Sequence, residues 1–218
     1  MSQHTLTLLR FTNKKLKEKL TVSDSKKLFH EQFPYVIPGL YKKIVDEMLV
    51  ELNLFNHQNE FTQDNLFCIG LTETFKELTK GYKPEKHLAL LFESLCSSTN
   101  FKAKEITDIS KKFQQEFNDK SSKDLLKIIK EKSNSKLYQS RILNLGIYTL
   151  ISNTKDNKGK NESEINNIIS EILEMLNLSK SKAEKDIGIY KSSISKMEQA
   201  KELIEELKLK EKNKLKEK

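Results

Sequence analysis

Apolar residues along this chain recur three and four positions apart, and sustained apolar/polar alternation is absent. That spacing predicts helices and gives no support for strands. In "GLYKKIVDEMLVELNLF", Gly39 to Phe55, the residues Leu40, Tyr41, Ile44, Val45, Met48, Leu49 and Leu52 form one stripe. Before it, Ser23 is expected to cap a short helix ending near Phe33. A third helix, roughly Asp64 to Lys80, carries Phe67, Leu71, Phe75 and Leu78 and stops at Gly81, a natural left-handed residue. Pro84 starts the next, because a missing N–H costs little in a first turn.

Surface-lying helices are expected over about 84–97, 101–118 and 122–132. "LYQSRILNLGIYTLIS", Leu137 to Ser152, is apolar nearly all round, the pattern of a central helix buried on most sides. "NTKDNKGKNESE", Asn153 to Glu164, has no apolar anchor and is expected to be a flexible loop, followed by a helix through Ile165, Ile169, Ile172 and Leu176. From Ser179 onward Ile187, Tyr190, Ile194 and Met197 follow 3-4-3 spacing, continued imperfectly by Ile204 and Leu207. One helix of about 57 Å is implied at roughly 1.5 Å per residue, longer than a compact body of this size is wide. Its end should project, and its last turns should fray.

The expected architecture is therefore all-α. A bundle-like helical body spans 21–178, a basic extension spans 1–20, and a long coiled-coil-like helix with a Lys-rich end spans 179–218.

Composition sharpens this picture. The chain of 218 residues is 36% apolar and 32% charged, against about 45–50% and 25% in ordinary globular chains, so much of it must be wet. The net charge of +8 is unevenly placed: residues 21–178 hold 22 basic and 22 acidic side chains, residues 1–20 hold 5 and 1, and residues 179–218 hold 12 and 8. The ends carry the excess. Lys14, Lys15, Lys17 and Lys19 at one end, and Lys208, Lys210, Lys212 and Lys214 at the other, are candidates for an anionic membrane or a partner surface, at about 1 kcal/mol per basic residue near lipid. No aromatic is interleaved with the C-terminal lysines, so a stacking platform for single strands is missing and nucleic acid is the weaker partner. Cys68 and Cys96 form no CxxC and are expected to be core thiols of a reducing compartment. No apolar run approaches the roughly 20 residues needed to span a bilayer.

Candidate chemistry is sparse. Glu47 and Glu51 share a helical face with His57 close behind, but the apolar stripe beside them is expected to turn both carboxylates outward. A di-metal bundle site would need a second carboxylate helix with Glu-x-x-His spacing, which the sequence lacks. His4, His30, His57 and His87 never fall three or four apart, and the phosphate-loop, dinucleotide, nucleophile-elbow and HExxH signatures are missing. No catalytic, cofactor or metal residue is assigned. Arg141, inside the most apolar helix, needs a partner. It is expected to form a structural ion pair, the alternative being that it lines a functional groove.

Four stretches together resemble the thylakoid formation proteins, the photosystem II biogenesis family of cyanobacteria and chloroplasts. "TVSDSKKLFHEQFPYVIPGLYKKIVDEMLVELNL" looks like the family's opening block. "FTQDNLFCIGLTETFKELTKGYKPEK" is similar to its second, with Gly70, Thr74, Phe75, Gly81, Tyr82 and Pro84 in place. "YQSRILNLGIYTLI" matches a third at Arg141, Gly146 and Leu150, despite one extra residue before Ser140. "LNLSKSKAEKDIGIYKSSISKMEQAKELIEE" matches the fourth at Lys185, Asp186, Tyr190, Lys191, Lys196, Met197, Gln199 and Ala200. The resemblance covers about residues 21–205 and is poor around 98–136.

The resemblance implies an all-helical, non-enzymatic protein peripherally associated with the cytoplasmic or stromal face of thylakoids. It implies a role in thylakoid organisation and photosystem II assembly and repair, through binding and stabilising FtsH-type membrane metalloproteases, with protein and membrane partners and no small-molecule substrate. Residues 1–20 are too short and too poor in arginine and serine for a chloroplast transit peptide, so a cyanobacterial-type member is expected. The alternative function is a basic helical RNA- or ribosome-associated factor.

Overall fold

A computed structural model of the chain describes residues 19–59, 61–117, 120–121, 124–125, 127–129, 137–157 and 160–216. Its first helix, α1 (Val22–Gln32), is capped by Thr21 rather than Ser23. The Thr21 hydroxyl oxygen accepts from the Asp24 N–H at 3.1 Å, and the Thr21 N–H donates to the Asp24 carboxylate at 3.0 Å. This reciprocal box satisfies two helix-end donors at once, which Ser23, at the second helical position, could not do.

Pro38 precedes α2 (Gly39–His57), whose stripe is buried at Tyr41, Val45, Met48, Leu49 and Leu52. Asp64 caps α3 (Asn65–Leu78), accepting from the Phe67 N–H at 2.8 Å. Gly81 does take a positive φ of 83°, three residues past the end of α3, in the turn that swings Tyr82 into the core. After Pro84 come a short 3-10 turn and α4 (Leu88–Ser97), then α5 (Ala103–Phe117). Although expected at the surface, α4 buries Leu91, Leu95 and Cys96 completely. The helix expected over 122–132 lies largely outside the described residues; Leu125 and Ile129 within it are buried.

Ser140 caps α6 (Arg141–Ser152), accepting from the Leu143 N–H at 3.1 Å. Residues 142–147 are all buried, so this is the central helix that its apolar circumference predicts. It packs on α3, on α7 (Glu162–Met175) and on α8 (Lys180–Lys216). Two apolar clusters result. One gathers α1, α2 and α4 against α3; the other gathers α6, α7 and the first half of α8 against the opposite side of α3.

The described part of the segment between α6 and α7, residues 153–157 and 160–161, is held by hydrogen bonds, against the expectation of a flexible loop. Thr154 and Asn157 are buried, and both side chains donate to the Ile151 carbonyl at 2.9 Å. Polar side chains supply here the anchoring for which the segment has no apolar residue. At the C-terminus α8 runs 37 residues, about 55 Å at 1.5 Å per residue. Ile187, Tyr190 and Met197 are buried against the body, and Lys201 lies over Gly81. The helix continues to Lys216, the length expected of it.

Candidate functional site: the charged seam at the root of the last helix

Ile44, Met48 and Glu51 stand at i, i+4 and i+7 on α2, so the same periodicity that turns the half-buried Ile44 and the buried Met48 inward turns Glu51 toward the body. Its carboxylate accepts two hydrogen bonds from Arg141, at the first position of α6; the Arg141 Nε donor stands 3.0 Å from Glu51 Oε2. The Glu51 side chain is 18% exposed and that of Arg141 35%. This corrects the expectation that both carboxylates point outward. Glu47, one turn earlier, does face solvent, beside Lys43 at 3.8 Å.

Burial pushes the Glu51 carboxyl above its ordinary range. Arg141 pulls in the other direction without overcoming the burial, and Asp186 on α8 adds to the rise. Asp186 is itself held: Asn144, on the same helix as Arg141, donates to its carboxylate at 2.7 Å. One turn earlier, Gln139 donates to the Ser179 carbonyl and accepts from the Ser179 N–H, both at 2.8 Å, while Lys182 donates to the Gln139 carbonyl at 2.6 Å. A continuous polar seam therefore ties α2, the start of α6 and the root of α8.

Two hollows flank the ion pair. The inner one is small and apolar, between Met48, Leu78, Leu145, Ile189 and Tyr190. The outer is an open groove of about 640 Å³ along α2, with Lys26, Lys42, Lys43, Asp46 and Glu47 on its rim and Val50 and Leu54 on its floor. Arg141 thus both forms a structural ion pair and lines a groove, the two roles left open by the sequence. The arrangement offers alternating charge around an apolar floor, suited to a protein surface. It places no nucleophile beside a base.

Glu47, Glu51 and His57 do not converge, because the His57 ring nitrogen is spent on the Leu20 carbonyl at 3.0 Å. Among the described residues no group of three His, Cys, Asp or Glu could hold a metal ion, and no helix is long and apolar enough to cross a membrane. Cys68 and Cys96 are free and buried, as expected of core thiols.

The candidate lysines fall far from this seam in sequence. Lys14, Lys15 and Lys17 lie outside the described residues, and Lys19 is exposed with its ammonium 3.5 Å from the His57 carbonyl. Lys210 is exposed on α8; Lys208, Lys212 and Lys214 lie on the same helix, with side chains outside the described set. Sequence reasoning missed Glu51, Asn144, Gln139 and Asp186 as a connected set. The i, i+7 register of Glu51 with Ile44 was the available signal.

Comparison with known proteins agrees over nearly the whole chain. The family model for the thylakoid formation protein matches residues 21–218. The Thf1 protein of Prochlorococcus marinus strain MIT 9312 is 78% identical over 199 residues, covering 91% of this chain and 99% of its own length. That of Parasynechococcus marenigrum strain WH8102 is 35% identical, covering 87% and 89%. The solved structure of Psb29 has the same fold, with a TM-score of 0.78 over 89% of this chain and 98% of that one, at 22% identity. By sequence and by fold the chain belongs to the thylakoid formation protein family.

Proposed function

We propose that this chain is a non-enzymatic factor for thylakoid biogenesis and for photosystem II assembly and repair. It sits peripherally on the cytoplasmic face of the thylakoid and acts by binding and stabilising an FtsH-type membrane metalloprotease complex. The observation that carries the reading is the 78% identity to a Thf1 protein across 91% of the chain. The geometry fits a protein-binding role: the groove beside Arg141 has a charged rim and an apolar floor, and α8 extends the reach of the body. Lys14, Lys15, Lys17, Lys19, Lys208, Lys210, Lys212 and Lys214 supply electrostatic attraction to anionic lipid.

The test is affinity capture of a tagged copy from photosynthetic membranes, scoring FtsH-type protease against an untagged control. Enrichment that falls on combining Lys42→Glu with Glu47→Lys, both exposed on the groove rim, supports the reading. Recovery of RNA and ribosomal proteins in place of protease would favour the RNA- or ribosome-associated alternative.

A further inference from the structure

Past Lys201 the last helix has left the body, and every side chain described from Glu202 onward is exposed. Ala200, Leu203, Ile204 and Leu207 nevertheless stand at i, i+3, i+4 and i+7, and so share one face of about 100°. Leu203, Ile204 and Leu207 are 58%, 39% and 52% exposed, with no described residue covering them. Lys196 and Lys210, both exposed, continue the row at its two ends, four residues before Ala200 and three after Leu207. Glu198, Glu202, Glu205 and Glu206 fall on the opposite half of the helix. Residues 196–210 hold four lysines and four glutamates, so the segment is neutral in sum but polarised across its axis.

That polarity selects among occupants. A second copy pairing along this row would set lysine against lysine in parallel and antiparallel registers alike. The row also spans only two turns, where a coiled coil needs about three or four heptads. A protein interface would be anchored by aromatic or arginine side chains, and the chain has neither after Tyr190. Leucine and isoleucine bracketed by flexible lysines, with acids on the far side, match a lipid surface. The aliphatic groups enter the headgroup boundary, the lysine stems snorkel to phosphate, and the carboxylates face water.

We infer that the row Lys196, Ala200, Leu203, Ile204, Leu207 and Lys210 is a lipid-contact face, which lays the outer part of α8 along an anionic membrane surface. The inference rests on the membrane association proposed above, and it moves the contact from the lysine tail to the apolar row. Leu209 lies off this row and takes no part in it.

The experiment is flotation of the purified full-length chain with vesicles of phosphatidylcholine alone or mixed with phosphatidylglycerol. The chain is compared with the double variant Leu203→Gln and Leu207→Gln, the double variant Lys196→Gln and Lys210→Gln, and a deletion of 211–218. All the substituted side chains are exposed, and glutamine keeps helix propensity, so matching circular dichroism and melting curves check that the fold is retained.

The expected result is partition onto the anionic vesicles that falls about tenfold or more in the leucine variant, the scale of withdrawing two leucines from an apolar contact. It should fall less in the lysine variant and survive the deletion. If the deletion abolishes partition and the leucine variant binds as the parent does, the apolar row is wrong while tail-driven membrane association stands. No partition of the parent chain onto either vesicle overturns both. A concentration-dependent dimer in lipid-free sedimentation, lost in the leucine variant, would reassign the row to a second copy. Protease capture lost in that variant with vesicle binding intact would reassign it to a protein.

Discussion

Gly70 and Gly146 meet backbone to backbone where α3 crosses α6. A Cβ on Gly70 would fall onto the Ile142 carbonyl oxygen and 2.9 Å from the Gly146 nitrogen; one on Gly146 would fall onto the Leu66 carbonyl oxygen and 3.2 Å from the Gly70 nitrogen. The obstacles are helix backbone, which cannot rotate away as a side chain would. Gly70→Ala and Gly146→Ala should therefore each cost about 3 kcal/mol or more, at or above the usual 1–3 kcal/mol range for overpacking. Gly188 in α8 has nothing within 4 Å of its added Cβ, and Gly188→Ala should gain up to about 1 kcal/mol from helix propensity. Urea unfolding of the three variants gives the comparison; similar shifts at all three sites would contradict the close crossing.

At acid pH Glu51→Gln should cost little, because a protonated carboxyl and an amide offer Arg141 the same carbonyl oxygen; truncating a buried pair outright costs about 3–5 kcal/mol, less here because both side chains are partly exposed. The pH dependence carries the sharper test. With its folded pKa raised above the ordinary value of 4.5, Glu51 binds its proton more tightly folded than unfolded. Its contribution is fully present below that value and is lost as pH rises through the folded pKa. The stability of the parent relative to the variant should thus fall from pH 4.5 upward. A relative stability that rises with pH in that window would mean that Arg141 outweighs burial.

The thiols of Cys68 and Cys96 are both pushed up to about 12, from an ordinary value of 9.0, mainly by burial. Burial also raises the Tyr41, Tyr82 and Tyr190 hydroxyls. Each group ionises more readily unfolded, so its stabilisation is complete below its unfolded pKa and is lost as pH climbs toward the folded value. Melting temperature should fall steadily from about pH 9 upward. Below that, both thiols should ignore a thiol reagent in the native chain and react promptly in denaturant, since a reactive thiolate needs exposure and a low pKa. Fast labelling of either cysteine in the native protein would contradict this packing.

What the sequence displayed and what it hid follow from range. The stripes of α2, α3 and α6 are local periodicities, and α6 reads as central because its apolar residues encircle the helix. Relationships between distant segments left no such mark. Nothing near Gly70 says that Gly146 will cross it, and nothing near Arg141 names Glu51. Glu51 was partly visible through its register with Ile44 and Met48, but a carboxylate is assigned to solvent unless its partner is known. The segment after α6 was misread because Thr154 and Asn157 anchor it with hydrogen bonds, which hydropathy does not record. The 3-4-3 spacing of α8 marked the half that packs on the body. Beyond Met197 the apolar residues shift around the helix, which is why Ile204 and Leu207 looked like an imperfect continuation.

The root of α8 offers a last test, because polar bonds fasten it alongside the buried Ala183 and the partly buried Leu178. Gln139 closes a two-way bridge on Ser179, and Asn144 holds Asp186 less than two turns into the helix. Ser179 is exposed, so Gln139→Ala returns its N–H and carbonyl to water, and the global cost should be small, about 0.5–1.5 kcal/mol. The local effect should be larger. Hydrogen exchange around 178–184 should accelerate well beyond what the global loss explains, as expected when a helix root opens on its own. Ile187 and Tyr190, a turn or more further on, stay buried against α6 and should keep their protection. Adding Asp186→Asn should extend the fast-exchanging stretch toward Ile187. If exchange rises uniformly along α8 in Gln139→Ala, the helix opens as one unit and the root is not a separate fastening.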